Sequence, residues 1–148
     1  MMSLLKIAHV PPATVETEAT VFDAVSMMAR EGVGAVAVVG KAGKGDLQGI
    51  FTERDVMLRV VQQGLNPRET EVRKVMTSPV ETASEETTAE EALTLMIERH
   101  LRHLPIMASE GQLLGMLSIR NLLEDQVEDL KRELHSLDQY LSNDGPGG

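Results

Sequence analysis

The sequence predicts an α/β fold, α+β-like in character. Two β-α-β-β-α repeats pack about a pseudo-twofold axis, and a long C-terminal helix follows. Three observations carry this expectation. Pro11, Thr14, Ala24 and Met28 recur 68 residues later as Pro79, Thr82, Ala92 and Met96. Gly49-Ile50-Phe51-Thr52-Glu53-Arg54-Asp55 recurs 66 residues later as Gly115-Met116-Leu117-Ser118-Ile119-Arg120-Asn121. Beyond residue 122, leucines fall at heptad spacing. Self-similarity at a fixed offset marks a repeat architecture. The change of two in the offset falls at the polar turn Gly40–Asp46, where insertions are tolerated.

The elements follow in order. A short extended piece lies near Ala13–Val15. A helix over Val21–Glu31 places Ala24, Val25 and Met28 on one face. Thr20 caps it with Asp23 reaching back, and Gly32 and Gly34 end it. Ala35–Val39 is continuously apolar and valine-rich, the pattern of a strand buried on both faces. A second strand spans Leu47–Phe51, and a helix runs from Glu53 to Gln63. The linker from Leu65 to Ser78 holds one helical turn near Val72–Met76. In the second copy, Thr87 or Thr88 starts a helix through Arg99. His103–Met107 and Leu113–Leu117 are strands, and a helix begins at Ile119. The predicted organisation is repeat 1 over 7–66, repeat 2 over 72–123, an amphipathic helix over 124–142 and a disordered tail over 143–148.

Composition narrows the function. The 148 residues carry 14 Lys and Arg against 23 Asp and Glu, for a net charge of −9. Phosphate-backbone contacts need clustered basic residues, so a nucleic-acid partner is not expected. With no cysteine, thiol catalysis and thiolate zinc sites are excluded. The four histidines have no ligand spacing, so no metal is expected. No apolar run suits a signal peptide or a membrane span, which makes a cytoplasmic location the expectation. No nucleophile–base pair or carboxylate dyad stands out, and no catalysis is expected. Met27, Met28, Met57, Met76, Met96, Met107 and Met116 read as core fillers.

The motifs resemble those of the CBS domain family, named for cystathionine β-synthase and usually found as tandem pairs. The resemblance rests on Gly49 through Asp55, Gly115 through Asn121, Met76-Thr77-Ser78-Pro79-Val80, and Arg102-His103-Leu104-Pro105-Ile106 entering a strand. It implies a regulatory module that binds an adenosine-containing ligand between the repeats: AMP, ADP, ATP, NAD or S-adenosylmethionine. AMP and ATP lead that range.

Thr52 stands where a strand meets a helix, and its hydroxyl together with the helix N-terminus can receive a phosphate. Asp55, one turn on, can accept from both ribose hydroxyls. The same Thr-x-x-Asp pattern is also a capping box, as at Thr20/Asp23 and Thr87/Glu90. Ser118 and Asn121 form the second site, ranked below the first because the amide loses the charge-assisted bond. The resemblance implies that Arg102 and His103 can face a ligand phosphate, as basic residues here do in related modules; the first copy has Gly34 and Ala35 instead. Otherwise Arg102 pairs with a carboxylate such as Glu98. Arg54 is a weaker ligand candidate. The alternative to a sensor is a non-catalytic dimerisation or scaffold module that binds no nucleotide.

Leu123, Val127, Leu130, Leu134, Leu137 and Leu141 alternate in steps of four and three, an a/d stripe between charged residues. The expectation is a homodimer joined by this helix and by the module's own helices, against an alternative in which the helix folds back on its module.

Overall fold

The computed structural model describes residues 3–40 and 46–143. In chain order the first repeat comprises β1 (Thr14–Glu16), α1 (Val21–Glu31), β2 (Ala35–Val39), β3 (Leu47–Thr52) and α2 (Glu53–Asp55). The second comprises β4 (Ala83–Ser84), α3 (Ala89–Glu98), β5 (His103–Met107), β6 (Leu113–Ser118) and α4 (Ile119–Asn143). Each repeat forms a three-stranded sheet, ordered β1-β2-β3 and β4-β5-β6. The first pair in each sheet is parallel and the second antiparallel.

Burial explains the unbroken apolar run of β2. One face of the sheet packs Val36, Val38 and Phe51 against Val21, Ala24 and Met28 of α1. The other face gives Ala35, Ala37 and Ile50 to Leu113 and Met116 of the second repeat. Covered on both sides, β2 has no polar positions to alternate.

The caps follow local chemistry. Thr20 and Asp23 form the expected capping box, and Gly32 closes α1 at φ 66°. In the second repeat the cap belongs to Thr88 and Glu91, not to Thr87 and Glu90. Thr87 instead accepts from the Ser84 N–H at 3.0 Å, closing the turn after β4.

A second correction concerns the helix expected over Glu53–Gln63. Its α-helical part is Glu53–Asp55, and Val56–Val61 continues it as a π-helix. Bonding from i to i+5 stacks residues five apart. Asp55 and Val60, both buried, are thereby held on one inward face.

His100 follows the end of α3 at φ 57°, the position of Gly32 in the first repeat. A left-handed backbone crowds the Cβ of a non-glycine residue. His100→Gly should therefore stabilise the fold by about 0.5–1 kcal/mol, a rise in Tm of roughly 2–3 °C in thermal unfolding. A fall in Tm would show that the imidazole is held by contacts stronger than that strain.

The segments preceding each repeat are exchanged. The linker pairs back onto the first repeat through Thr77 and Ile50. The N-terminal segment crosses to the second repeat, where His9 pairs with Met116. Leu4, 1% exposed, lies in the second repeat's core beside Leu104, Ile106 and Leu117. This close crossing explains the motif glycines. A Cβ on Gly49 would sit 3.0 Å from the Thr77 carbonyl oxygen, and one on Gly115 would sit 3.2 Å from that of His9.

Helix α4 is unbroken from Ile119 to Asn143, so it runs straight through the boundary expected near residue 123 and past that expected at 142. Leu122 is buried in the second repeat, and from Leu123 onward the leucine stripe faces outward. Residues 144–148 of the expected tail and 41–45 of the Gly-rich turn lie outside the described residues.

Candidate functional site

A cleft of about 1210 Å³ lies between the repeats. Its two walls differ in chemistry. The first repeat supplies Val25, Met28, Ala29 and Val33 around α1, and Val56, Met57 and Val61 from the turns after α2. The second supplies Arg102, His103, Ser118 and Asn121. Of the residues singled out in the sequence, these four come together on one wall. Thr52, Arg54 and Asp55 do not line it.

Asp55 is occupied elsewhere. It is 7% exposed and the one charged residue buried among those described. One oxygen accepts from the Thr52 N–H at 3.0 Å, while the Thr52 hydroxyl accepts from the Asp55 N–H at 3.3 Å. The other oxygen accepts from the Thr77 hydroxyl at 3.1 Å, and Arg59 lies 3.5 Å away. Arg59 also donates to the Met76 carbonyl at 2.9 Å. The Thr52-x-x-Asp55 motif thus caps α2 and ties it to the linker. Any ligand using this carboxylate must compete with those bonds. Arg54 is exposed on the same turn.

The second motif is arranged differently. Ser118 Oγ accepts from the Asn121 N–H at 3.1 Å. Asn121 Nδ2 donates to the Ile7 carbonyl at 3.1 Å, which orients its amide against the cleft. In both repeats the first N–H of the following helix is taken by backbone. Glu53 N–H donates to Gly34 O at 3.1 Å, and Ile119 N–H to Arg102 O at 2.8 Å. With the amides of Asp55 and Asn121 also engaged, neither helix N-terminus presents an open row of donors. The cleft's arginines are Arg102 and Arg120. No salt bridge joins Arg102 to Glu98 among the described residues.

His103 lies on the polar wall, half-buried. Burial holds its imidazole below the ordinary histidine pKa; Glu53 opposes this and neighbouring Arg102 adds to it. A neutral imidazole carries one donor and one acceptor, suited to a sugar hydroxyl or a base edge. Glu53 reaches across from the first repeat. A Cβ on Gly34 would lie 2.3 Å from the Glu53 carboxylate oxygen and 3.3 Å from His103 Cε1. The missing side chain at Gly34 is what lets these two residues approach. Glu31 lies 3.9 Å from His9 at the cleft edge, and Arg120 holds Glu124 at 3.1 Å. The cleft therefore mixes two arginines with three glutamates.

The apolar wall was not visible as a wall. Val25, Met28, Met57 and Val61 have helical spacing whether they face a core or a cleft. Met57 was expected as a core filler. It is 58% exposed and lines the cleft.

The chain belongs to the CBS domain family: the family's model matches residues 6–62 and 72–128. Tandem pairs of this class are regulatory modules and not enzymes. The chain is 35% identical over 127 residues to the CBS domain-containing protein CBSX3, mitochondrial, of Arabidopsis thaliana, covering 84% of this chain and 61% of that one. It is 34% identical over 117 residues to protein MK0525 of Methanopyrus kandleri, covering 77% of this chain and 59% of that one. The chain thus spans about three fifths of the length of these two relatives. A solved protein with CBS domains from Burkholderia ambifaria superposes with a TM-score of 0.78 at 31% identity, over 86% of this chain and 96% of that one. The CBS domain protein PAE2072 of Pyrobaculum aerophilum, solved in complex with AMP, shares the fold with a TM-score of 0.74 at 24% identity, over 81% and 89% of the two chains. No described helix is long and apolar enough to cross a membrane.

Proposed function

We propose that this chain is a regulatory sensor of an adenosine-containing nucleotide, bound in the cleft between the repeats. The observation that carries the reading is that the first repeat lines the cleft with an apolar patch, edged by Glu31 and Glu53, opposite a polar patch on the second repeat. A nucleotide has the same division. Its base would lie against Val25, Met28, Met57 and Val61, where apolar burial favours it. Its ribose would meet Ser118, Asn121 and His103, and its phosphate Arg102. The AMP complex of the related fold points the same way.

Charge favours a monophosphate. Arg120 is held by Glu124, which leaves Arg102 to face the phosphate while Glu31 and Glu53 stand on the opposite wall. Each further phosphate adds negative charge to a cleft that already sets three glutamates against two arginines. The reading includes a homodimer joined by α4 and the module's helices, and a cytoplasmic setting.

Binding should be measured by calorimetry with AMP, ADP, ATP, NAD, S-adenosylmethionine and adenosine. AMP is expected to bind most tightly. Arg102→Ala should weaken AMP by roughly 10- to 100-fold and adenosine by less than about 3-fold, since only the charge-assisted phosphate bond is lost. If folded protein binds none of these, the module is a scaffold and the sensor reading fails.

A further inference from the structure

We propose that α4 pairs with α4 of a second copy in parallel, in register, so that both clefts lie at the same end of the helix pair. This rests on the dimer reading above and adds its orientation. Leu123, Val127, Leu130, Leu134, Leu137 and Leu141 are all exposed, Leu134 by 66% and Leu141 by 59%. None of them is buried among the described residues, which leaves the stripe open to a second copy. Helical pairs of opposite charge, Arg120–Glu124, Lys131–Glu128 and Arg132–Asp129, support the helix itself.

Charge decides between orientations. The stripe assigns Leu123, Leu130 and Leu137 to d, and Val127, Leu134 and Leu141 to a. Positions e are then Glu124, Lys131 and Asp138, and positions g are Gln126, Glu133 and Tyr140. An antiparallel pair that closes all six positions sets Glu124 against the partner's Asp138 in both directions. It also sets Lys131 against the partner's Lys131 and Glu133 against the partner's Glu133. A parallel pair keeps all six layers and faces like charges only between Glu133 and the partner's Asp138, twice by symmetry. The remaining contact on each flank joins Gln126 to the partner's Lys131. Sliding an antiparallel pair by one heptad creates opposite-charge contacts but uncovers a third of the layers. A buried leucine outweighs an exposed ion pair, so the slid pair is the weaker arrangement. Val127 at one a position, with leucine throughout d, is compatible with a two-stranded pair.

The chain has no cysteine, so an introduced one is unique. Val127→Cys and Leu137→Cys should be made singly in the full chain and oxidised. In a parallel pair each residue faces its own counterpart, and both variants should cross-link. No single antiparallel register brings both self-pairs together, because their axial positions differ by about 15 Å. Both should cross-link on the order of 100-fold faster than the same variants carrying Leu130→Asp and Leu134→Asp, reflecting a millimolar effective concentration. If the unsubstituted chain is dimeric by light scattering but only one variant or neither cross-links, the parallel seam is wrong while the dimer stands. An equimolar mixture of the two variants that cross-links faster than either alone would identify the antiparallel pair. A monomer by light scattering would overturn both.

Discussion

Asp55→Ala is expected to lower the stability of the module by about 3 kcal/mol. Loss of the cap contributes roughly 1 kcal/mol, and loss of the charge-assisted bond from Thr77 about 2 kcal/mol. Arg59 is half exposed, so its pairing with Asp55 adds little. For a chain of this length the expected fall in Tm is about 10 °C, read by thermal unfolding. Asp55→Asn should cost only about 1 kcal/mol, because an amide oxygen can still accept from the Thr52 N–H. The second repeat already carries Asn121 at this position. Measured where the alanine variant remains folded, its AMP affinity should stay within about threefold of the unsubstituted chain. A specific loss of affinity at unchanged Tm would reassign Asp55 from the linker to the ligand.

Leu4→Ala should be as damaging, although Leu4 precedes the repeat pattern altogether. A fully buried leucine truncated to alanine loses 2–5 kcal/mol, depending on how far the site collapses. Leu4 packs among Leu104, Ile106 and Leu117, so the loss falls on the second repeat. Hydrogen exchange should show the largest loss of protection in β5 and β6, more than 90 residues away in sequence. Loss confined to the N-terminal residues would mean that the segment rests on the repeat without completing it.

The contrast between these two residues shows what was legible in the sequence. Strands β2 and β5 and helices α1 and α3 could be placed to within a residue or two, because capping threonines and apolar periods are local signals. Both ends of the exchanged segments escaped. A three-residue turn such as Leu4–Lys6 is too short to show a period, and a lone apolar residue near a terminus carries no pattern. Thr77 belongs to the motif Met76–Val80, but its bond to Asp55 has no sequence signal. It lies in a linker, and its partner Asp55 is 22 positions earlier. The polar wall could be read because repetition singled out Ser118 and Asn121 and the asymmetry with Gly34 and Ala35 singled out Arg102 and His103. The Thr52/Asp55 motif reads identically as a cap and as a ligand site, and its tie to Thr77 exists only in three dimensions.

The exchanged segments also order events during synthesis. The first repeat has its complete complement of residues once the chain has emerged to about Thr77, since the linker that closes it follows directly. The second repeat must recover a piece made before the first repeat. His9 leaves the ribosome more than a hundred residues before Met116, its partner. Domains generally fold from the N-terminus as they emerge. Here the residues that precede the first repeat dock only after β6 has been made, and until they do, β6 keeps an unpaired edge. A fragment beginning at the linker would carry every strand and helix of the second repeat and still lack the residues that seal it.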